Sequence, residues 1–368
     1  MVRTLPDTRP YPTDPVKNEL LLYAGQIARN DSGAQAKLAK ESLRASIYSM
    51  LQQNYFLGLS VAMSMAPDAL SYRALLDALA DTISAKTETE VQWFALPVIV
   101  VVGNNQPVTL PTQTPTAELS ACLTTYPHTR ALAQATWLPH LVSAEQLAAL
   151  DAGQWFAAKQ NAEAAAEFAQ RFSAPDVSVE AGQSVKVLYA LGYGAHTLAD
   201  SMGVNLKEAA LPLMQVWQQH LTVPGATLFA NPLTASAPPL ALVDGSHTRL
   251  RMALDVFSAN AIRAIRLQSP RVGVVMAAQE GGNLLFGFNA TDSQFELQPQ
   301  VFSWPLSSAE RIEIIQQDFL DLMVECQVEN IRLLTQAVPE QTELPNYAQA
   351  LKLEGFNPLF ADQPSEQA

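Results

Sequence analysis

The chain has 368 residues, 48% of them hydrophobic and only 15% charged, with a net charge of −13. So much apolar matter builds a sizeable core and excludes a disordered chain. The acidic balance disfavours nucleic acid and anionic lipid, whose phosphates it would repel.

Residues 1–14 carry three prolines and no periodicity, and are expected to form a flexible arm. The N-terminal MVRTLPDTRPYPTDP lacks the apolar core of a secretory signal. Asp14 before Pro15 marks a helix start, and residues 15–89 are expected to be a helical subdomain. In it Leu38, Leu43, Ile47, Met50 and Leu51 share a face, and Asp68 caps a helix carrying Leu75, Leu76 and Leu79.

Residues 90–235 are expected to form an α/β lobe. EVQWFALPVIVVVG is a strand buried on both faces, and its longest apolar run, Phe94 to Val102, falls far short of the roughly 20 residues that span a bilayer. A proline- and threonine-rich loop follows, then a short helix from Thr114-Pro115 to Cys122. TRALAQATWLPHL resembles a strand, Ser143 begins a helix, and residues 151–172 are helical. SVKVLYALGYG, NLKEAALPLMQVWQQHL and GATLFANPL then give strand, helix and strand. This unit echoes the earlier strand–helix–strand in rhythm but scarcely in identity. A common α/β cadence accounts for the echo more readily than duplication.

Residues 236–337 form a second, α+β lobe in this reading. DGSHTRLRMALDVFSANAIRAIRLQ is a long helix. RVGVVMAAQ and LLFGFNA are strands joined by the EGGN turn, and QVFSWPL is a third strand. Ser307 and Glu310 read as the capping box of a helix whose stripe is Ile312, Ile315, Phe319, Leu322 and Cys326, and VENIRLLTQ closes the sheet. Residues 338–368 are expected to be a tail with one short helix. The fold class is therefore mixed α/β (α+β): a helical N-terminal layer plus helix-covered mixed sheets, arranged as two lobes of similar design.

No motif of high chemical specificity occurs. The most suggestive segment is Gly192-Tyr193-Gly194, which follows a strand, as ligand-binding loops of α/β sheets do. It lacks the third glycine of a dinucleotide fingerprint and the Gly-Lys-Ser/Thr of a P-loop. His196 and Asp200, four apart, supply two ligands at most, and no other histidine has ligand spacing, so no metal is expected. Asp244, Ser246 and His247 are too close in sequence to converge as a triad. Ser246 reads as a helix cap, with Asp244 and Gly245 as the turn before it. Arg249, Arg251, Arg263, Arg266 and Arg271 form the best basic stretch. They either lie along a solvated face or, if they met the glycine segment, would hold an anion. Cys122 and Cys326 make no disulfide framework.

Two functional readings follow. The leading one is a soluble protein of the bacterial cytoplasm that binds or assembles without catalysis, needs no cofactor, and meets a protein partner or itself, not nucleic acid or membrane. The rival is an enzyme on a small anionic or phosphorylated substrate, sited at Gly192, Tyr193, Gly194, His196 and Asp200 together with Asp244, Ser246 and His247. A pocket lined by Tyr193, His196 and Asp244 would favour the enzyme. A large apolar patch on the 15–86 helices would favour the partner surface.

Overall fold

The computed structural model describes residues 15–29, 33–196, 208–280, 282–291, 300–334 and 356–358, side chains excepted at 15–17 and 356–358. The protein is mixed α/β, and its chain divides into two compact units, Met1–Arg249 and Leu250–Ala368.

Unit one opens with four helices, α1 (Pro15–Arg29), α2 (Ala34–Gln52), α3 (Phe56–Ser64) and α4 (Ala69–Ile83). They pack together through Leu20, Ala24, Leu43, Ile47, Leu59, Leu75 and Leu79, all buried. Asp68 caps α4 as expected, its carboxylate accepting the Ser71 N–H at 2.7 Å. One expected core position differs: Leu38 is exposed, and the buried face of α2 continues through Ala36 and Ala39 instead.

The sheet of this unit is built on β1 (Val91–Asn104). After it come β2 (Val108–Thr109), α5 (Thr116–Thr124), α6 (Arg130–Ala133), β3 (Thr136–Trp137), β4 (Val142–Ser143), α7 (Ala144–Ala148), α8 (Ala152–Ala158) and α9 (Ala162–Ala169). Then follow β5 (Ser178–Val179), β6 (Gly182–Ala195), α10 (Ala210–Leu221) and β7 (Ala226–Pro232). Strand β6 pairs with β1 along its whole length, Val91 opposite Ala195 and Asn104 opposite Gly182, and β7 pairs with β1 on its other edge. Every pairing in this sheet is antiparallel. Phe94, Leu96, Val98, Val100 and Val102 pack with Leu119 and Leu123 of α5 and Leu213, Trp217 and Leu221 of α10. Trp93, on the opposite face, meets Trp155 of α8 and Phe168 of α9. Both faces are covered, which is why the strand is an unbroken apolar run.

Two local expectations are corrected here. Within residues 129–141, expected as strand, Thr129 ends a 3-10 turn, Arg130–Ala133 form α6, and only Thr136–Trp137 make a strand. The helix expected over 151–172 is two helices, because Asn161 caps a fresh start by accepting the Ala164 N–H at 2.8 Å.

The long helix α11 (Pro238–Arg266) contains the division between the units. Unit two continues with β8 (Val272–Gln279), β9 (Asn283–Ala290), β10 (Gln300–Pro305), α12 (Ile312–Glu325), β11 (Asn330–Leu334) and β12 (Phe356–Pro358). Their sheet order is β10-β9-β8-β11-β12, with β8 and β11 parallel and the other pairs antiparallel. Leu254, Ile262 and Ile265 of α11 and Ile315, Phe319 and Met323 of α12 pack on Val274, Met276, Phe286 and Phe288. Gly282, at φ +93°, makes the tight turn between β8 and β9.

The Ser307–Glu310 box precedes α12 and does not cap it. Glu310 accepts the Ser307 N–H at 2.8 Å and the Trp304 indole N–H at 3.0 Å, and the helix begins only after Arg311. In the expected tail, Phe356–Pro358 form a strand on β11, and the rest of 338–368, like the arm 1–14, lies outside the described residues.

Candidate functional site

The residues singled out by sequence are distributed as follows. Gly192, Tyr193 and Gly194 are not a loop after a strand: they lie within β6, opposite Phe94, Trp93 and Gln92. A Cβ on Gly192 would sit 2.6 Å from the Phe94 ring, so the glycine makes room for that ring, and no ligand is needed to explain it. Tyr193 projects to the other face, stacked on Trp93 with ring centroids 4.7 Å apart. His196 follows the strand end, and Asp200 lies outside the described residues. Asp244, Ser246 and His247 lie inside α11, eight turns long and begun at Pro238, so Ser246 is not a cap and Asp244-Gly245 is not a turn. Pro238 and Pro239 occupy the first turn of that helix, where missing N–H groups cost nothing.

The structure brings Asp244 and Ser246 to residues that sequence reasoning missed. Tyr189 of β6 approaches α11 so closely that a Cβ on Gly245 would lie 2.7 Å from its Oη. Its hydroxyl donates to the Leu242 carbonyl at 3.4 Å and interacts with Ser246. Burial pushes this phenol up to about 12, against the smaller pull of Ser246 and Arg249, so it remains a protonated donor. Arg73 of α4 reaches Asp244 at 2.8 Å and Asp77 at 3.2 Å. Burial alone would weaken the Arg73 charge, but the interactions with Asp244 and Asp77 together outweigh it and raise its pKa. These groups tie α11 to the sheet and to α4, and the hydroxyls and carboxylates so engaged hold each other. The alternation of β6 carried the signal: Tyr189 and Tyr193 share the face opposite to Gly192.

Of the basic stretch, Arg249 acts on Tyr189 of β6, and Arg251 and Arg266 are engaged within unit two. Arg266 donates to the Cys326 and Gln327 carbonyls at 2.8 and 3.0 Å, closing the C-terminus of α12, and Arg251 lies 3.5 Å from Asp318. Burial raises the thiols of Cys122 and Cys326 above their ordinary value, which makes both poor nucleophiles at neutral pH. Among the described residues no three His, Cys, Asp or Glu side chains are gathered as metal ligands.

Two cavities are lined without any of the eight candidate residues. A small one, room for about one water, lies in unit two among Arg251, Asp255, Trp304 and Asp318. The other is a groove of about 360 Å³ in unit one. It is lined by Phe56 and Phe168, by Gly153, Ala157, Ala158 and Ala164, and by the polar Asn54, Asp151, Gln154, Glu167 and Arg171. Gly153 is required there, since a Cβ would fall 2.2 Å from the Phe56 ring. Asp151 and Gln154 already satisfy each other's backbone N–H groups as the capping box of α8, and Arg171 stacks over Phe168 at 5.4 Å.

Phe56 is the first residue of α3, whose sequence FLGLSVAMS is apolar on nearly every side. A helix of that composition is normally enclosed. Here Gly58, Leu59 and Ala62 are buried, yet Leu57 is 72% exposed, and Tyr48 of α2, Tyr55 and Met65 at the ends of α3 and Leu70 of α4 are exposed as well. Between Arg44 and Asp68 the chain has no charged residue at all.

The chain matches no family model, no curated protein and no solved structure. No helix among the described residues is long and apolar enough to cross a membrane.

Proposed function

We propose that this chain is a binding or assembly protein of the bacterial cytoplasm, without catalysis of its own, that meets a protein partner through α3 and its flanks. The observation supporting this is the uncharged stretch from Ala45 to Pro67, which leaves Tyr48, Tyr55, Leu57 and Met65 exposed. Depletion of charge together with tyrosine and methionine is the composition of interface cores. Burying a side chain such as Leu57 against a partner is worth about 1.5–3 kcal/mol, a gain the isolated chain forgoes. The acidic balance argues against nucleic acid as that partner. The rival, an enzyme on an anionic substrate, has less support: Arg73, the cation beside Asp244, is already paired with two carboxylates.

The test is the native mass of the protein in gently opened cells, compared with a Leu57→Glu/Met65→Glu variant of unchanged circular dichroism. The proposal expects the wild type in a species heavier than one chain and the variant released from it. A wild type that runs at 39.9 kDa, the mass of one chain, refutes it.

A further inference from the structure

Resting on the reading of α3 as a contact face, we infer that its partner is a second copy of this chain, joined about a two-fold axis with Leu57 of each copy seated in the other's Phe56–Phe168 groove. A two-fold interface needs one patch that carries both halves of the contact. Such a patch exists here. Phe56 lines the groove, and the next residue, Leu57, is the most exposed apolar side chain of α3. Knob and hole are thus one residue apart, and the 360 Å³ of the groove accommodates a leucine with its neighbours.

Charge selects the same face. A chain of net charge −13 repels its own copies over most of its surface. From Ala45 to Pro67 the chain carries no charge, and the ions that Leu57 meets on entering the groove are Asp151, Glu167 and Arg171 of its lining. Of these, the Asp151 carboxylate already accepts the Gln154 N–H at 2.8 Å, and Glu167 and Arg171 carry opposite charges. Gln52, Gln53, Ser60 and Ser64, uncharged and exposed, donate within the chain to Tyr48, Ser49, Phe56 and Val61, and their oxygens remain as acceptors on this face.

Sedimentation velocity of the purified full chain over a range of concentrations tests this. The wild type is expected at twice the 39.9 kDa of one chain. Leu57→Glu removes the knob and Ala164→Trp fills the hole, so each variant alone is expected to lose dimer at least tenfold in concentration. Mixed together they are expected to recover part of it, because the first retains an open groove and the second an intact leucine. Leu267→Glu, at an 83% exposed position of unit two, is expected to leave the dimer unchanged. A wild type that stays monomeric overturns the two-fold pairing, as does a Leu57→Glu dimer of undiminished affinity or a mixture that recovers nothing. A monomer in pure solution beside a heavier species in cells would sink only this inference, whereas a monomer in both would sink the contact-face reading as well.

Discussion

Lys159 is the most confined charge among the described residues, its side chain 1% exposed, with its ammonium 3.1 Å from Glu90 and 3.0 Å from the Ser84 carbonyl. For the lysine, burial outweighs this pairing and lowers its pKa. For Glu90, burial is outweighed by the N–H groups of Lys86 and Thr87 and by Lys159, and its pKa is lowered. A depressed carboxylate contributes stability that is present above its ordinary 4.5 and is lost as pH falls through the folded-state value. The lowered lysine acts oppositely to a pairing gain: stability rises as pH climbs from its folded-state value towards 10.5, because there the unfolded chain binds more protons. Glu90→Gln strands a buried cation and is expected to cost on the order of 3 kcal/mol at neutral pH. Lys159→Met is expected to cost less, since Glu90, 15% exposed, keeps its two backbone donors. Urea unfolding at neutral pH and near pH 4 checks both the order and the sign, with the gap between wild type and Glu90→Gln narrowing in acid. A gap that widened in acid would contradict this account of the pair.

Two helix starts, at Asp68 and Ser143, were legible in the sequence, and the prediction at this scale concerns the first. Asp68→Ala removes the acceptor of the Ser71 N–H and is expected to cost about 1 kcal/mol in thermal or urea unfolding; no measurable loss would contradict the cap. Ser143 was equally legible, its hydroxyl and Gln146 forming a complete box at the start of α7. Ser246 was not, because Asp-Gly-Ser imitates a turn and Pro238-Pro239 imitates a loop, although prolines are at home in a helix's first turn. The glycines of β6 misled for a related reason: Gly192 is small to admit the Phe94 ring, a contact between residues far apart in sequence. The apolar run of β1 revealed a strand covered on both faces, but such a run is the same whether its neighbours are parallel or antiparallel. The expectation of a ligand loop beyond a strand's end belonged to the parallel case, and the sheet of unit one is antiparallel throughout. Nor did periodicity reveal α3 as an exposed surface, since nearly every side of it is apolar and burial of one face leaves the others undetermined.

At the scale of the molecule, two units carry separate hydrophobic cores, and mixed α/β composition was plain from the order of elements. Charge is laid out unevenly along the chain, net −13 overall and none between Arg44 and Asp68, and what the sequence did not convey is that Leu57 within that stretch is exposed. That contrast is the basis for assigning the protein's contact surface to α3 rather than its chemistry to β6 and α11. The most direct measurement is photo-crosslinking in living cells, with a benzophenone amino acid placed at position 57 and, for comparison, at the still more exposed position 267 of unit two. The account predicts protein adducts from position 57 and none from position 267. Adducts at 267 alone, or at neither position, would contradict it.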